Sequence, residues 1–336
     1  VTSVDPVLPW YDDLASCLQI DIGHVLELQG WDPVQVLGAG WRFRTPQGPV
    51  EPVEYFHPAG ERLQEEFCLY HPVRLTWHEP RDPRTAHDDV IDALTRVRGV
   101  IVAVNNFHLP FRPAYHDVHA AHLIIVTGWD ERRELYRVID PMPPAYSGTL
   151  PRSVLEKARR DISVDHKSDP FFAGSRPAWR WLEVVATGPQ PRADMAWVDK
   201  VMSTNIAALN RPDQGPHALA TYLFELPRRI ERHGSRALRE IYVLGWPAQA
   251  EAAFHSAFLY RMATRFERPD LADAASSVGR VAHAWTGFRI AAAHAAAEDE
   301  PTSASATARV EDLGKRLLMT WEQCMHRLRG SFGRKP

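Results

Sequence analysis

A single cysteine, Cys17, stands in the stretch DDLASCLQIDIGHVLELQG, residues 12–30. A thiol becomes a nucleophile when it loses its proton, and its surroundings decide how readily that happens. Ser16 and Gln19 form an S-x-x-Q pattern, in which each side chain satisfies a backbone N–H at a helix start. Leu18, Ile22, Val25 and Leu28 then recur at helical spacing, and Gly30 supplies a stop. The pattern makes Cys17 the first helical residue. There its sulfur would meet free amides and the positive end of the helix dipole, which favour the thiolate. A solitary cysteine on an apolar helix is more commonly a small buried hydrophobe. Chemistry therefore requires partners elsewhere in the chain.

A reactive cysteine needs a base and a group that orients the base. YHDVHAAHLIIVTGWD, residues 115–130, sets His122 just before a strand pattern, and YRVIDPMPP, residues 136–144, closes the next strand with Asp140. An antiparallel hairpin would bring the start of one strand beside the end of the other. A carboxylate there holds the imidazole in the tautomer that accepts a thiol proton. The expected catalytic set is Cys17, His122 and Asp140, although an Asp before Pro141 is also an ordinary turn former. Candidate oxyanion donors are the backbone amides of Cys17 and Leu18, the side chains of Asn105 and Asn106, and Tyr11. His116, His119 and His122, spaced by threes, offer a zinc alternative. Pro110 and Pro113 before them and a strand after them leave little room for the helix that would put them on one face.

These residues need elements to position them. Strands are predicted at 100–104, 123–127, 135–139 and 181–185, and helices at 17–29, 87–97 and 151–160. TGPQPRAD, residues 187–194, reads as a linker. Beyond it the chain is rich in Ala, Leu and Arg, with helices predicted at 194–209, 215–233, 235–243, 246–267, 270–295 and 306–329, and a polar interruption at 298–308. The fold class is α+β for residues 1–190, followed by an all-α domain at 193–336.

Bulk properties narrow the function further. The 336 residues are 45% hydrophobic and 24% charged, values ordinary for a globular protein, with a net charge of −3. Nothing in that balance points to nucleic acid. Cys17, Cys68 and Cys324 are widely spaced and lack a C-x-x-C, so neither a zinc knuckle nor a disulfide framework is expected. No apolar run is long enough to span a membrane, and VTSVDPVLPWYDD has no signal-peptide core. A cytoplasmic location is expected. Trp41, Phe43, Tyr55, Phe56 and Trp77 are candidate pocket aromatics. Arg327, Arg329, Arg334 and Lys335 form a basic tail able to meet an acidic partner.

Three stretches together carry a resemblance: SCLQIDIGHVLELQGWDPVQVLGAG with Gly38 and Gly40, NNFHLPFRPAYHDVHAAHLIIVTGWD, and VIDPMPPAYSGTLPRSVLEKAR. Residues 12–185 resemble the butirosin biosynthesis protein H family, with a papain-like fold, and the helical tail suits that family. The resemblance implies an acyltransferase of specialised metabolism. It would move an acyl or aminoacyl group from a carrier-protein thioester to an amine or other small-molecule acceptor through an acyl-cysteine. No bound cofactor is implied, since the phosphopantetheine arrives on the acyl or peptidyl carrier protein. Papain-like enzymes usually place a Gln shortly before the nucleophile, and this chain has none there. That departure favours an activated thioester over a peptide bond. A hydrolase, thioesterase or cyclase using the same residues, and a carrier-binding scaffold without chemistry, are the alternatives. The helical domain would cover the cleft and set acceptor specificity.

Overall fold

The computed structural model describes residues 13–44, 69–160, 177–297 and 304–332. Tyr11, Tyr55, Phe56, Cys68, Arg334 and Lys335 lie outside them. The chain forms two compact units that interleave in sequence. Residues 17–33 and the described part of 52–190 build the first, while 14–16, the described part of 34–51 and 191–332 build the second.

The first unit is α+β. Six strands, β1 (Val73–His78), β2 (Val100–Asn105), β3 (Ala121–Asp130), β4 (Leu135–Asp140), β5 (Tyr146–Pro151) and β6 (Trp181–Ala186), form one antiparallel sheet in the order β1-β6-β2-β3-β4-β5. β2 is buried along its whole length, as its unbroken VIVAV run requires of a central strand. Val100, Val102 and Val104 of β2 share a core with Ile124, Val126 and Val138 and with Val90 and Leu155. The last two come from the helices Pro83–Leu94 and Arg152–Arg159, described below as α3 and α4. Asp82 caps α3 by accepting from the Thr85 amide at 2.9 Å, and Pro83 occupies its first position.

The helix Cys17–Leu28, α1, packs against β2, β3 and β6. It begins at Cys17 and ends in a Schellman turn. Gly30 adopts φ +85°, its amide donates to the Glu27 carbonyl at 2.9 Å, and the Trp31 amide donates to Leu26 at 3.0 Å. Gln29 then ties the helix end to β6, donating to the Val184 carbonyl at 2.9 Å and accepting from the Ala186 amide at 3.1 Å. The sequence pattern gives α1 one apolar face, but every residue from Cys17 to Leu26 is buried. A helix enclosed on all sides is a central element rather than a surface one.

The second unit is helical. It comprises α2 (Pro33–Ala39), α5 (Met195–Leu209), α6 (Gly215–His233), α7 (Ser235–Phe266), α8 (Pro269–Ala297) and α9 (Ala304–Phe332). The sequence pattern splits α7 near Gly245 and Pro247, yet one helix runs through both. Gly245 sits where a side chain would press on Trp285 and Arg289 of α8, so close packing there explains the glycine without a break. Trp41 and Phe43 do not line a pocket. Trp41 stacks on His255 and Trp321 at 5.5 and 5.7 Å, and Phe43 meets Trp285 at 5.2 Å, inside the helical core.

α2 lies directly on α7. A Cβ at Gly38 would stand 2.4 Å from the Phe254 carbonyl oxygen and 2.6 Å from Phe258 Cβ, and the Gly38 carbonyl accepts from His255 Nδ1 at 2.7 Å. The obstructing atoms cannot swing away. Gly38→Ala is therefore expected to destabilise the chain by about 1–3 kcal/mol, the usual cost of overpacking. Urea unfolding monitored by circular dichroism measures it.

Candidate active site

β3 and β4 pair with Ile125 opposite Ile139 and Val126 opposite Val138. That register carries His122, at the start of β3, to Asp140, at the end of β4. His122 Nε2 lies 2.9 Å from Asp140 Oδ2, and both side chains are buried. An ionised carboxylate can only accept, so Nε2 carries the hydrogen and the neutral ring keeps its lone pair on Nδ1. Asp140 Oδ1 accepts from the Met142 amide at 3.0 Å. Arg112 completes the set, its Nη1 lying 3.3 Å from Asp140 Oδ2 and 3.0 Å from the Met142 carbonyl. The carboxyl is thus gripped from three directions, and the imidazole is oriented through it.

Cys17 is 9% exposed at the start of α1. Its sulfur accepts from the backbone amides of Leu18 and Leu123, the latter being the residue after His122, and it lies in the field of Asp140. No hydrogen bond joins Cys17 to His122; the two approach through the Leu123 backbone and Asp140. The helix-start expectation of a lowered thiol pKa does not hold. Burial pushes the thiol up to about 12, and Asp21 and Asp140 add to the rise. The two amides act in the opposite direction and are outweighed. The resting site holds a neutral thiol.

The named oxyanion candidates fare differently. Asn105 is buried and already engaged, its amide nitrogen 2.8 Å from His119 Nδ1 and its oxygen accepting from the Phe107 amide at 3.1 Å. Asn106 Oδ1 is buried without a hydrogen-bond partner. The three histidines of the zinc alternative diverge. His119 stacks on Phe107 at 3.9 Å, His116 stacks on Tyr115 at 3.9 Å, and His122 faces Asp140. Among the described residues no three His, Cys, Asp or Glu side chains gather as a metal-holding group.

Residues 16–141 match the model of a family described as Butirosin biosynthesis protein H, N-terminal. Over these residues the chain is similar to that family. No curated protein matches the chain. The butirosin biosynthesis protein H region spans Cys17, His122 and Asp140, and it also contains two residues that sequence reasoning missed. Arg112 lay in a proline-rich loop, LPFRPAY, where an arginine has no local reason to be half-buried. Asp21 carried a readable signal, a charged residue in an otherwise apolar run, one helical turn after Cys17.

Asp21 is the most unusual group in this region. It is fully buried, and neither carboxyl oxygen has a hydrogen-bond partner among the described residues. Burial, then the Asp140 charge, holds its pKa well above the ordinary carboxylate range, with Arg112 opposing. The folded state therefore keeps this proton after the unfolded chain has lost its own. Stability must fall as pH rises from about 4 through the window up to the folded-state pKa, by about 1.4 kcal/mol per pH unit. Asp21→Asn removes that dependence. The variant's stability relative to wild type is expected to be higher at pH 7 than at pH 3, as read from denaturant midpoints at the two pH values.

Proposed function

We propose that this chain is a cysteine-dependent acyltransferase with a papain-like active site, acting on carrier-protein thioesters in specialised-metabolite biosynthesis. The observation that carries the reading is the buried His122–Asp140 pair beside the helix start that bears Cys17. Its 2.9 Å bond occupies Nε2 and leaves Nδ1 as the proton acceptor. The similarity of residues 16–141 to the butirosin biosynthesis protein H family supports the biosynthetic setting. No helix among the described residues is long and apolar enough to cross a membrane.

The chemistry follows from the resting thiol. With its pKa near 12, free thiolate is scarce at neutral pH, so attack and deprotonation are coupled. The thiol proton passes to His122 Nδ1 as sulfur bonds to the thioester carbonyl carbon. The imidazolium then faces the Asp140 carboxylate, which stabilises it. The carbonyl reforms, the carrier's phosphopantetheine sulfur leaves, and His122 returns the proton to it. An amine next attacks the acyl-Cys17, His122 takes its proton, and Cys17 leaves with that proton as a thiol. One thioester and one amine give one amide and one thiol. The Leu18 and Leu123 amides, which act on the sulfur, are the backbone donors proposed for the developing oxyanion.

Mixing the chain with acyl-loaded carrier protein is expected to add one acyl mass to the peptide containing Cys17, read by intact-mass and peptide mass spectrometry. Cys17→Ala forms no adduct, and His122→Ala slows its formation by orders of magnitude. An amine acceptor discharges the adduct. An adduct lost equally fast without an acceptor identifies a hydrolase instead. Wild-type turnover by Cys17→Ala overturns the mechanism.

A further inference from the structure

The helical unit contains a pocket that the Cys17 chemistry does not use. It measures about 390 Å³ and lies against α8 and α9. Ser276 and Arg280 come from α8, and Arg327 and Ser331 from α9, with Asp273 also lining it. The two guanidiniums converge on one buried hydroxyl. Arg280 Nη2 donates to Ser277 Oγ at 2.9 Å, and Arg327 Nη1 donates to the same oxygen at 3.3 Å. Arg280 Nη1 also donates to Ser276 Oγ at 3.0 Å.

Like charges repel, and arginines brought this close in proteins are ordinarily neutralised by a carboxylate between them. Here the hydrogen-bond partners of both, among the described residues, are neutral serines. Asp273 lines the pocket without pairing with either guanidinium. Both guanidiniums also act on the buried Cys324 thiol, pulling its pKa down against the larger upward push of burial. Two positive charges thus meet one lining carboxylate, Asp273, which is bonded to neither guanidinium.

The donor geometry selects among anions. Each guanidinium is a planar fork with several N–H groups. A serine that accepts from an arginine still has its own hydroxyl hydrogen to give. Two forks with Ser276 and Ser331 offer more donors than the two oxygens of a carboxylate can take. A tetrahedral group with three or four oxygens uses them better. We propose that Arg280 and Arg327, with Ser276 and Ser331, form a binding site for a phosphate-type oxyanion.

Calorimetric titration of the full chain with sodium phosphate, at ionic strength held constant with sodium chloride, tests the site. Saturable binding is expected. Arg280→Gln and Arg327→Gln each weaken it by about tenfold or more, the loss of one charge-assisted contact. Both side chains are exposed, so the variants keep the fold, which circular dichroism checks. Cys17→Ala leaves phosphate binding unchanged, which separates failure of this site from failure of the acyl-transfer reading. Free 4′-phosphopantetheine is titrated in parallel. Tighter binding than phosphate identifies a phosphate ester as the source, and equal binding identifies the free anion; either outcome supports the site. A response that follows ionic strength alone, or that persists in both arginine variants, overturns it. Acetate binding as tightly as phosphate also overturns it.

Discussion

The bond between His122 Nε2 and Asp140 Oδ2 exists only while β3 and β4 hold their register. Side chains alternate across a strand, so a slip of one residue would turn Asp140 to the other face. The register is fixed by what surrounds it. Ile124 and Val126 of β3 and Val138 of β4 are buried in one core, and a slip of either strand would turn its own members out of it. β3 is also flanked on its other side by β2, with Val104 opposite His122. The apolar packing of a central sheet thus sets the position of a polar pair at its end. Arg112 and the Met142 amide then hold the carboxyl from the loops, where a strand supplies no donors.

Two opposing effects meet at Cys17, and their sizes decide its state. A helix start contributes a fraction of a charge and a few amides, worth about 0.3–1 kcal/mol at an exposed site. Desolvation of a thiolate in a closed site moves its pKa by several units. Placement at the first position of α1 would have sufficed on a surface helix. α1 is enclosed from Cys17 to Leu26, and burial outweighs the dipole. The proposed chemistry therefore relies on the imidazole to take the thiol proton. The same burial acts on Asp21, which adds to the rise at Cys17 and whose own pKa is pushed up.

Much of this was legible in the chain because it rests on local patterns. The run from Val100 to Val104 is a strand in the structure, as are Leu123–Thr127 and Leu135–Ile139 within their longer elements, and α1 starts at Cys17. Capping chemistry and apolar periodicity are written over a few residues each. β1 and β5 were not read. RLTWH mixes charge with apolar residues, and YSGTLP contains Gly148 and a proline, so neither shows a clean alternation. Both lie at the edges of the sheet, where half-exposed residues weaken the pattern. The segment 34–51 lies before the sheet in sequence, yet its described part belongs to the helical unit. Long-range packing of that kind, such as Gly38 against Phe254, leaves only a glycine as its trace.

The residues hardest to foresee are polar groups whose partners come from distant parts of the chain. Asp140 can be suspected from its place at a strand end, whereas Arg112 acquires meaning only once its loop folds back over that end. Asp21 shows the converse. Its type and spacing relative to Cys17 were visible, but an exposed aspartate at the same position would be unremarkable. Burial alone makes it consequential, because an ionised carboxylate without a hydrogen-bond donor is strongly disfavoured in a low-dielectric interior. The charge balance follows from that. With Asp21 neutral, formation of a Cys17 thiolate and a His122 imidazolium leaves two anions, Cys17 and Asp140, facing two cations, His122 and Arg112. With Asp21 ionised, the same cluster would carry an unbalanced negative charge beside Cys17. A protonated Asp21 is thus the state in which this buried group of side chains can support charge separation at Cys17.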